Sequence, residues 1–165
     1  MTMTSIVHLR KALAKQSVLN AVPGVEVRTT AMPKDLHEWL ALRGRAVAWL
    51  KPAVRAWTEA DFTAEISGKP WWRDEWTWLA IPAEAPRQLI GSVTLAVREG
   101  TTGAVPVVHW LLVDPRRRRR GIGRLLMSHL ERAAWDEGWR EIQLETHSGW
   151  TDAVAFYQSI GFEPV

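Results

Sequence analysis

A mixed α/β fold, with a mostly antiparallel central sheet and helices on both of its faces, is what this chain of 165 residues predicts. Three observations carry that expectation. Strand-like stretches follow one another through residues 76–113 with only short turns between them, so they should be antiparallel neighbours. Helical stripes stand on either side of them in sequence, at 33–48 and 58–67 before and from Gly121 after. A strand then runs into a helix through the glycine turn Gly121-Ile122-Gly123, and such a junction presents free backbone amides.

The elements follow in order. Residues 5–20 alternate apolar and basic positions and are expected as a short helix, in an N-terminal appendage (1–24) ahead of a domain spanning 25–165. Residues 26–30 read as a first strand. Leu36, Trp39, Leu40, Leu42 and Val47 form a helical pattern over 33–48, with Pro33 at its start. Thr58 followed by Asp61 is a capping-box-like start for a helix over 58–67, and Gly68 and Pro70 end it. Strands are expected at 76–81, 88–98 and 105–113, with Glu99 to Gly103 as the last turn. Ile122, Leu125, Leu126, Leu130, Ala133 and Ala134 make one apolar stripe, and Gly138 stops that helix. A strand at 140–146, a helix at 151–160 and a short strand from Phe162 complete the order.

Composition excludes several classes. There is no cysteine, hence no disulfide, thiolate zinc site or cysteine nucleophile, and no metal is expected. No apolar run reaches the length of a membrane span, and residues 1–20 lack the pattern of a signal peptide, so a cytoplasmic protein is expected. The net charge of +3 hides a concentration: Arg116 to Arg120 form one run, and without it the balance is slightly negative. That argues for a local anionic ligand rather than a nucleic-acid face. The tryptophans number 11, with Trp71, Trp72, Trp76 and Trp78 clustered; they are either packing residues or the aromatic wall of a pocket.

The chemistry is carried by the stretch from Trp110 to Leu126, in which Arg118, Gly121 and Gly123 form R-x-x-G-x-G between a strand and a helix. Glycines let the backbone approach a ligand closely, unpaired amides at the helix start point at it, and the helix dipole favours negative charge. Loop arginines add charge-assisted bonds to phosphate oxygens. A diphosphate is the natural occupant. No Gly-Lys-Ser/Thr follows, which excludes a P-loop, and the third glycine of a dinucleotide fingerprint is missing.

Val113-Asp114-Pro115, Arg118-x-x-Gly121-x-Gly123 and Leu125-Leu126 together resemble the acyl-CoA-binding signature of the GNAT superfamily of N-acyltransferases. Ala153-x-x-Phe156-Tyr157-x-x-x-Gly161-Phe162 is similar to that family's C-terminal pattern. The stretch 62–80, with Pro70-Trp71-Trp72, bears a faint resemblance to mycothiol synthase-like members. The resemblance implies an acetyl-CoA-dependent N-acetyltransferase acting on a small-molecule or peptide amine. Leu112 and Val113 would hold the pantetheine arm. The loop Arg118, Arg119, Arg120, Gly121, Ile122, Gly123 and Arg124 would hold the pyrophosphate, and Arg116 and Arg117 could meet the 3′-phosphate. Three departures stand out. Trp150 occupies a position where the family commonly has asparagine, Val107 one where it often has glutamate, and after Val165 a strand that would pair with the last one is missing. A short sheet, a truncated chain or a homodimer partner would each account for the last.

Acetyl transfer to an amine moves two protons. Tyr157, the single tyrosine, is the candidate acid for the leaving thiolate. His109 shares a strand face with Val107 and is the candidate base, with Glu145 and His147 on the next strand as alternatives. His129, on the binding helix, is expected to be structural, and His8 and His37 carry no signal. Two other readings remain at this stage: a CoA-binding module without turnover, and an RNA-associated acetyltransferase that uses the arginine run.

Overall fold

The computed structural model describes residues 5–165. Its seven strands are β1 (Ile6–Ala12), β2 (Val25–Thr29), β3 (Thr77–Pro82), β4 (Gly91–Gly100), β5 (Gly103–Val113), β6 (Glu141–His147) and β7 (Glu163–Pro164). The helices are α1 (Leu36–Val47), α2 (Glu59–Phe62), α3 (Ile122–Asp136) and α4 (Thr151–Ser159). All strands join one sheet in the order β2-β3-β4-β5-β6-β1-β7, antiparallel except for the β5–β6 pair.

The alternation of β3 shows why both faces carry helices. All six of its residues are buried. Trp78 and Ala80 pack on one side with Ile122, Leu126 and Leu130 of α3. Leu79 and Ile81 pack on the other with Trp39 and Leu42 of α1 and Phe62 of α2. A strand covered on both faces reads as a continuous apolar run. Thr58 caps α2 as expected: its Oγ1 accepts from the Asp61 amide at 3.2 Å, and Asp61 Oδ2 accepts from the Thr58 amide at 2.7 Å. The helix then widens into one π turn over Thr63–Ser67.

The N-terminal segment departs from expectation. Residues 6–12 are not a helical appendage but a strand inside the sheet, paired antiparallel to β6 on one side and β7 on the other. Leu9 is wholly buried, while His8 and Arg10 are exposed. The period of two that distinguishes a strand is present in the sequence, but the strands it pairs with lie more than a hundred residues downstream. β1 therefore stands between β6 and β7 in the sheet. The connection from β1 to β2 must cross the sheet, and it does so along α3. Gln16 bonds Asp136 at 2.8 Å, Arg132 bonds the Ser17 carbonyl at 3.1 Å, and the Asn20 amide bonds Ser128 Oγ at 3.1 Å.

Candidate functional site

Strands β5 and β6 are parallel and register with each other only at Val107 and Gln143, then diverge. The gap between them is a cleft of about 1850 Å³, open to solvent. Its walls come from β5, β6, the start of α3, α4 and the segments around α1 and α2.

At the floor of one end, Gly121 takes φ 83°, a left-handed conformation that a side chain makes costly, and serves as the N-cap of α3. Leu125 is the residue whose amide bonds back to the Gly121 carbonyl, at 3.0 Å. The amides of Ile122, Gly123 and Arg124 thus have no acceptor within the helix, and no side chain caps them. No acidic residue stands in that first turn to compete with an anion. Gly123 has a second reason to be glycine: a Cβ there would meet the Phe156 ring of α4 at 3.0 Å. The two helices approach over this point.

The loop before α3 is tied to α1. Asp114 is buried, and its carboxylate accepts from the Arg116 amide at 3.0 Å and from Arg45 Nε at 3.2 Å. Burial works against its ionisation, but that amide and the charges of Arg45 and Arg116 outweigh it and hold its pKa below the usual carboxylate range. Arg118 donates to the Ala46 carbonyl, at the end of α1, at 3.0 Å. This guanidinium is therefore a strut between loop and helix, worth roughly 0.3–1 kcal/mol at a helix C-terminus. That bond uses one of the several N–H donors of the guanidinium, and Arg118 also lines the cleft, so the phosphate contact the sequence suggests is compatible with it.

Leu112 and Val113, expected for the donor's arm, line the cleft, as do Arg118, Arg119, Ile122 and Arg124 beside the two glycines. Arg120 is exposed and does not line it. Of the flanking arginines, Arg117 lines the cleft, and Arg116 lies 3.6 Å from Asp114.

Tyr157 and His109 both face this cleft. The Tyr157 ring is 9% exposed and packs edge-on against Phe156 and Phe162, each at 5.5 Å. Burial alone pushes its phenol above the usual range, with no hydrogen bond among the described residues opposing it. His109 sits edge-on to Trp71 at 6.5 Å, and its Nε2 is sealed from solvent without a partner. Burial, then the charges of Lys69 and Arg43, bring its pKa down from 6.5 to about 4. The imidazole is therefore neutral at physiological pH.

Glu145 and His147 also reach the cleft but are engaged. Glu145 lies 3.6 Å from His8, and His147 Nδ1 accepts from the Gly149 amide at 3.1 Å. Trp150 donates to the Pro52 carbonyl at 3.4 Å, linking the corner before α4 to the loop after α1. Of the tryptophan cluster, Trp71 is a cleft wall, whereas Trp76 and Trp78 belong to the core.

Two features of the site escaped sequence reasoning. One is the kink of β5. Ser92 pairs with Leu112 and Thr94 with His109, so β5 carries one residue more than β4 between these pairs, and Trp110 there takes φ 46°. The other is Arg43, buried behind that kink. Its signal was available: it occupies a slot of the apolar stripe four residues after Trp39.

Among the described residues no helix is long and apolar enough to cross a membrane, and no cluster of metal-ligating side chains occurs. The model of the "Acetyltransferase (GNAT) family" matches residues 35–162. The chain is 29% identical over 163 residues to a mycothiol acetyltransferase of Nocardia farcinica, covering 95% of this chain and 52% of that protein. It is 32% identical over 146 residues to a mycothiol acetyltransferase of Thermobispora bispora, covering 84% and 46%. The chain thus spans about half the length of the curated relatives it matches. Its fold is similar to that of a GCN5-related N-acetyltransferase from Sphaerobacter thermophilus, with a TM-score of 0.75 and 17% identity over 97% of this chain and 48% of that one. It is also similar to Arabidopsis thaliana Naa50, solved with a bisubstrate CoA analogue, with a TM-score of 0.62 and 23% identity over 85% and 83%.

Proposed function

Because the chain belongs to the acetyltransferase (GNAT) family, we propose that it moves an acetyl group from acetyl-CoA to an amine in the cytoplasm. The observation that carries this reading is the free set of amides at Ile122, Gly123 and Arg124, opening into a cleft between two diverging strands. Those amides are suited to a diphosphate. The edge of β5 at Leu112 and Val113, free of β6 beyond Val107, is suited to an extended arm that bonds backbone groups. Acetyl-CoA supplies the activated thioester, and the chain supplies position and proton traffic. Tyr157 keeps its proton at working pH and gives it to the departing thiolate. His109, neutral at working pH, accepts the proton of the attacking amine, directly or through water.

The test is thermal denaturation with and without acetyl-CoA, followed by thiol release against a panel of amines. A mycothiol-related amine belongs in the panel because of the names its relatives carry. Acetyl-CoA at ~100 times its Kd should add about 2.7 kcal/mol of stability. For a chain of this size that raises Tm by roughly 5–10 °C. No shift at millimolar acetyl-CoA would end the reading. Binding without turnover across the panel would leave a CoA-binding module.

The base assignment has its own readout. The competent form of His109 is neutral, so kcat/KM should fall as pH drops through about 4 rather than through the ordinary 6.5. His109→Ala should lower the rate by ~10²-fold and flatten that limb. The acceptor used must have a pKa outside the window. An identical limb in the variant would move the role to Glu145, His147 or the substrate.

A further inference from the structure

Arg43 stands on the buried face of α1 and is 1% exposed. Its Nη1 donates to the Arg55 carbonyl at 3.1 Å, while Nε and Nη2 have no partner. The carboxylate that bears on it, Asp61, is held by both Nη atoms of Arg55 at 2.8 and 2.9 Å. Instead of a counter-ion, Arg43 has aromatic faces: its Cζ lies 4.2 Å from the Trp57 ring and 4.4 Å from the Trp110 ring.

Two indoles offset only part of the cost of burying a guanidinium, and an apolar side chain of similar length would fill the space without that cost. The reason for a cation here is found in what it touches. Trp110 is the residue at φ 46° where β5 slips register. A bulky residue keeps such a conformation only where its surroundings fix it. Arg43 presses on one side of its indole, Trp57 meets it edge-on at 5.5 Å, and its Nε1 is buried without a partner. The His109 ring lies 6.2 Å from the same indole. The kink also sets where Leu111, Leu112 and Val113 meet the cleft.

We propose that Arg43 is a positioning residue for acetyl transfer: its guanidinium, seated in the corner formed by the Trp57 and Trp110 rings, fixes the kink of β5 and sets a positive charge without a direct ion-pair partner behind His109. The inference rests on the reading of His109 as the proton acceptor. The charged groups bearing on His109 are Arg43 from α1 and Lys69 from the turn after the π segment; those bearing on Arg43 are Arg55 and Asp61. Burial and the charge of Arg55 lower the pKa of Arg43 to about 10, so it remains a cation at neutral pH. It penalises a second positive charge on the imidazole, which holds His109 in its neutral form at working pH and makes it a weaker base.

The experiment is an NMR titration of the His109 imidazole in the whole chain, with the resonance assigned by its loss in His109→Ala. The variants are Arg43→Met, which keeps length and loses charge, and Arg43→Lys, which keeps charge and loses the planar stack. In Arg43→Met the midpoint should rise by a fraction of a unit from the wild-type value near 4, because burial and Lys69 both outrank Arg43 among the causes of the lowering. The acidic limb of kcat/KM should rise with it. In Arg43→Lys the midpoint should stay near the wild-type value while kcat falls, because the kink loses its clamp. If Arg43→Met fails to fold by circular dichroism, Arg43→Gln, a planar neutral group against the same indoles, is read in its place. An unchanged midpoint in the neutral variant overturns the proposal. Since the titration needs no turnover, an active His109→Ala enzyme would reject the base role separately.

Discussion

Replacing Gly121 by valine is expected to abolish the stabilisation that acetyl-CoA gives, with the unliganded chain still folded. At φ 83° an L-residue is strained, a β-branched one most of all, and Val22 already lies 3.5 Å from where the Cβ would stand. Relief of that strain must come from the loop between Asp114 and α3, because the helix beyond is locked by Leu125, Leu126 and Leu130 in the core. The amides of Ile122, Gly123 and Arg124 would then no longer converge on one anion. A loss of ~10²-fold in affinity, roughly 2.7 kcal/mol, is expected. Isothermal calorimetry reads the affinity, and circular dichroism with melting in the absence of ligand checks the fold. Gly123→Leu should reach the same end differently, by pushing Phe156 and α4 away from α3. Wild-type affinity in a folded Gly121→Val would show that the diphosphate is not held at this helix start.

Tyr157→Phe is expected to lower kcat by about 10²-fold or more while leaving acetyl-CoA affinity within a small factor. The ring stays, so the packing against Phe156 and Phe162 survives. Only the hydroxyl is lost, and it acts on a thiolate that exists only as the thioester breaks. A loss confined to kcat is the mark of an interaction made in the transition state. The direction of its pKa bears on pH dependence: with the phenol pushed up by burial, Tyr157 should impose no basic limb between pH 7 and 9. Single-turnover thiol release separates chemistry from product release. Unchanged single-turnover rates would reduce Tyr157 to a packing residue of α4.

Much of this protein follows from local pattern. The meander β3-β4-β5 was legible because its strands are neighbours in sequence as well as in space, and Thr58 with Asp61 announced α2 because a capping box is complete within four residues. The Gly121–Gly123 turn was legible for the same reason: strand end, glycine pair and apolar stripe are contiguous, and backbone amides need no distant residue to be free. The tertiary structure decided whatever depends on partners far along the chain. Residues 6–12 carry a period-two pattern, yet only β6 and β7 make them a strand, and a strand's register is set by the edge it meets. Arg118 reads as a phosphate ligand in sequence, and only the fold shows that one of its N–H donors also ties the loop to the end of α1. The lowered pKa of His109 comes first from burial and then from Lys69 and Arg43, all brought about by the packing of the helical segments against β5. Backbone chemistry travels with the local sequence; electrostatic environment and strand pairing belong to the assembled fold, because burial and charge act through space.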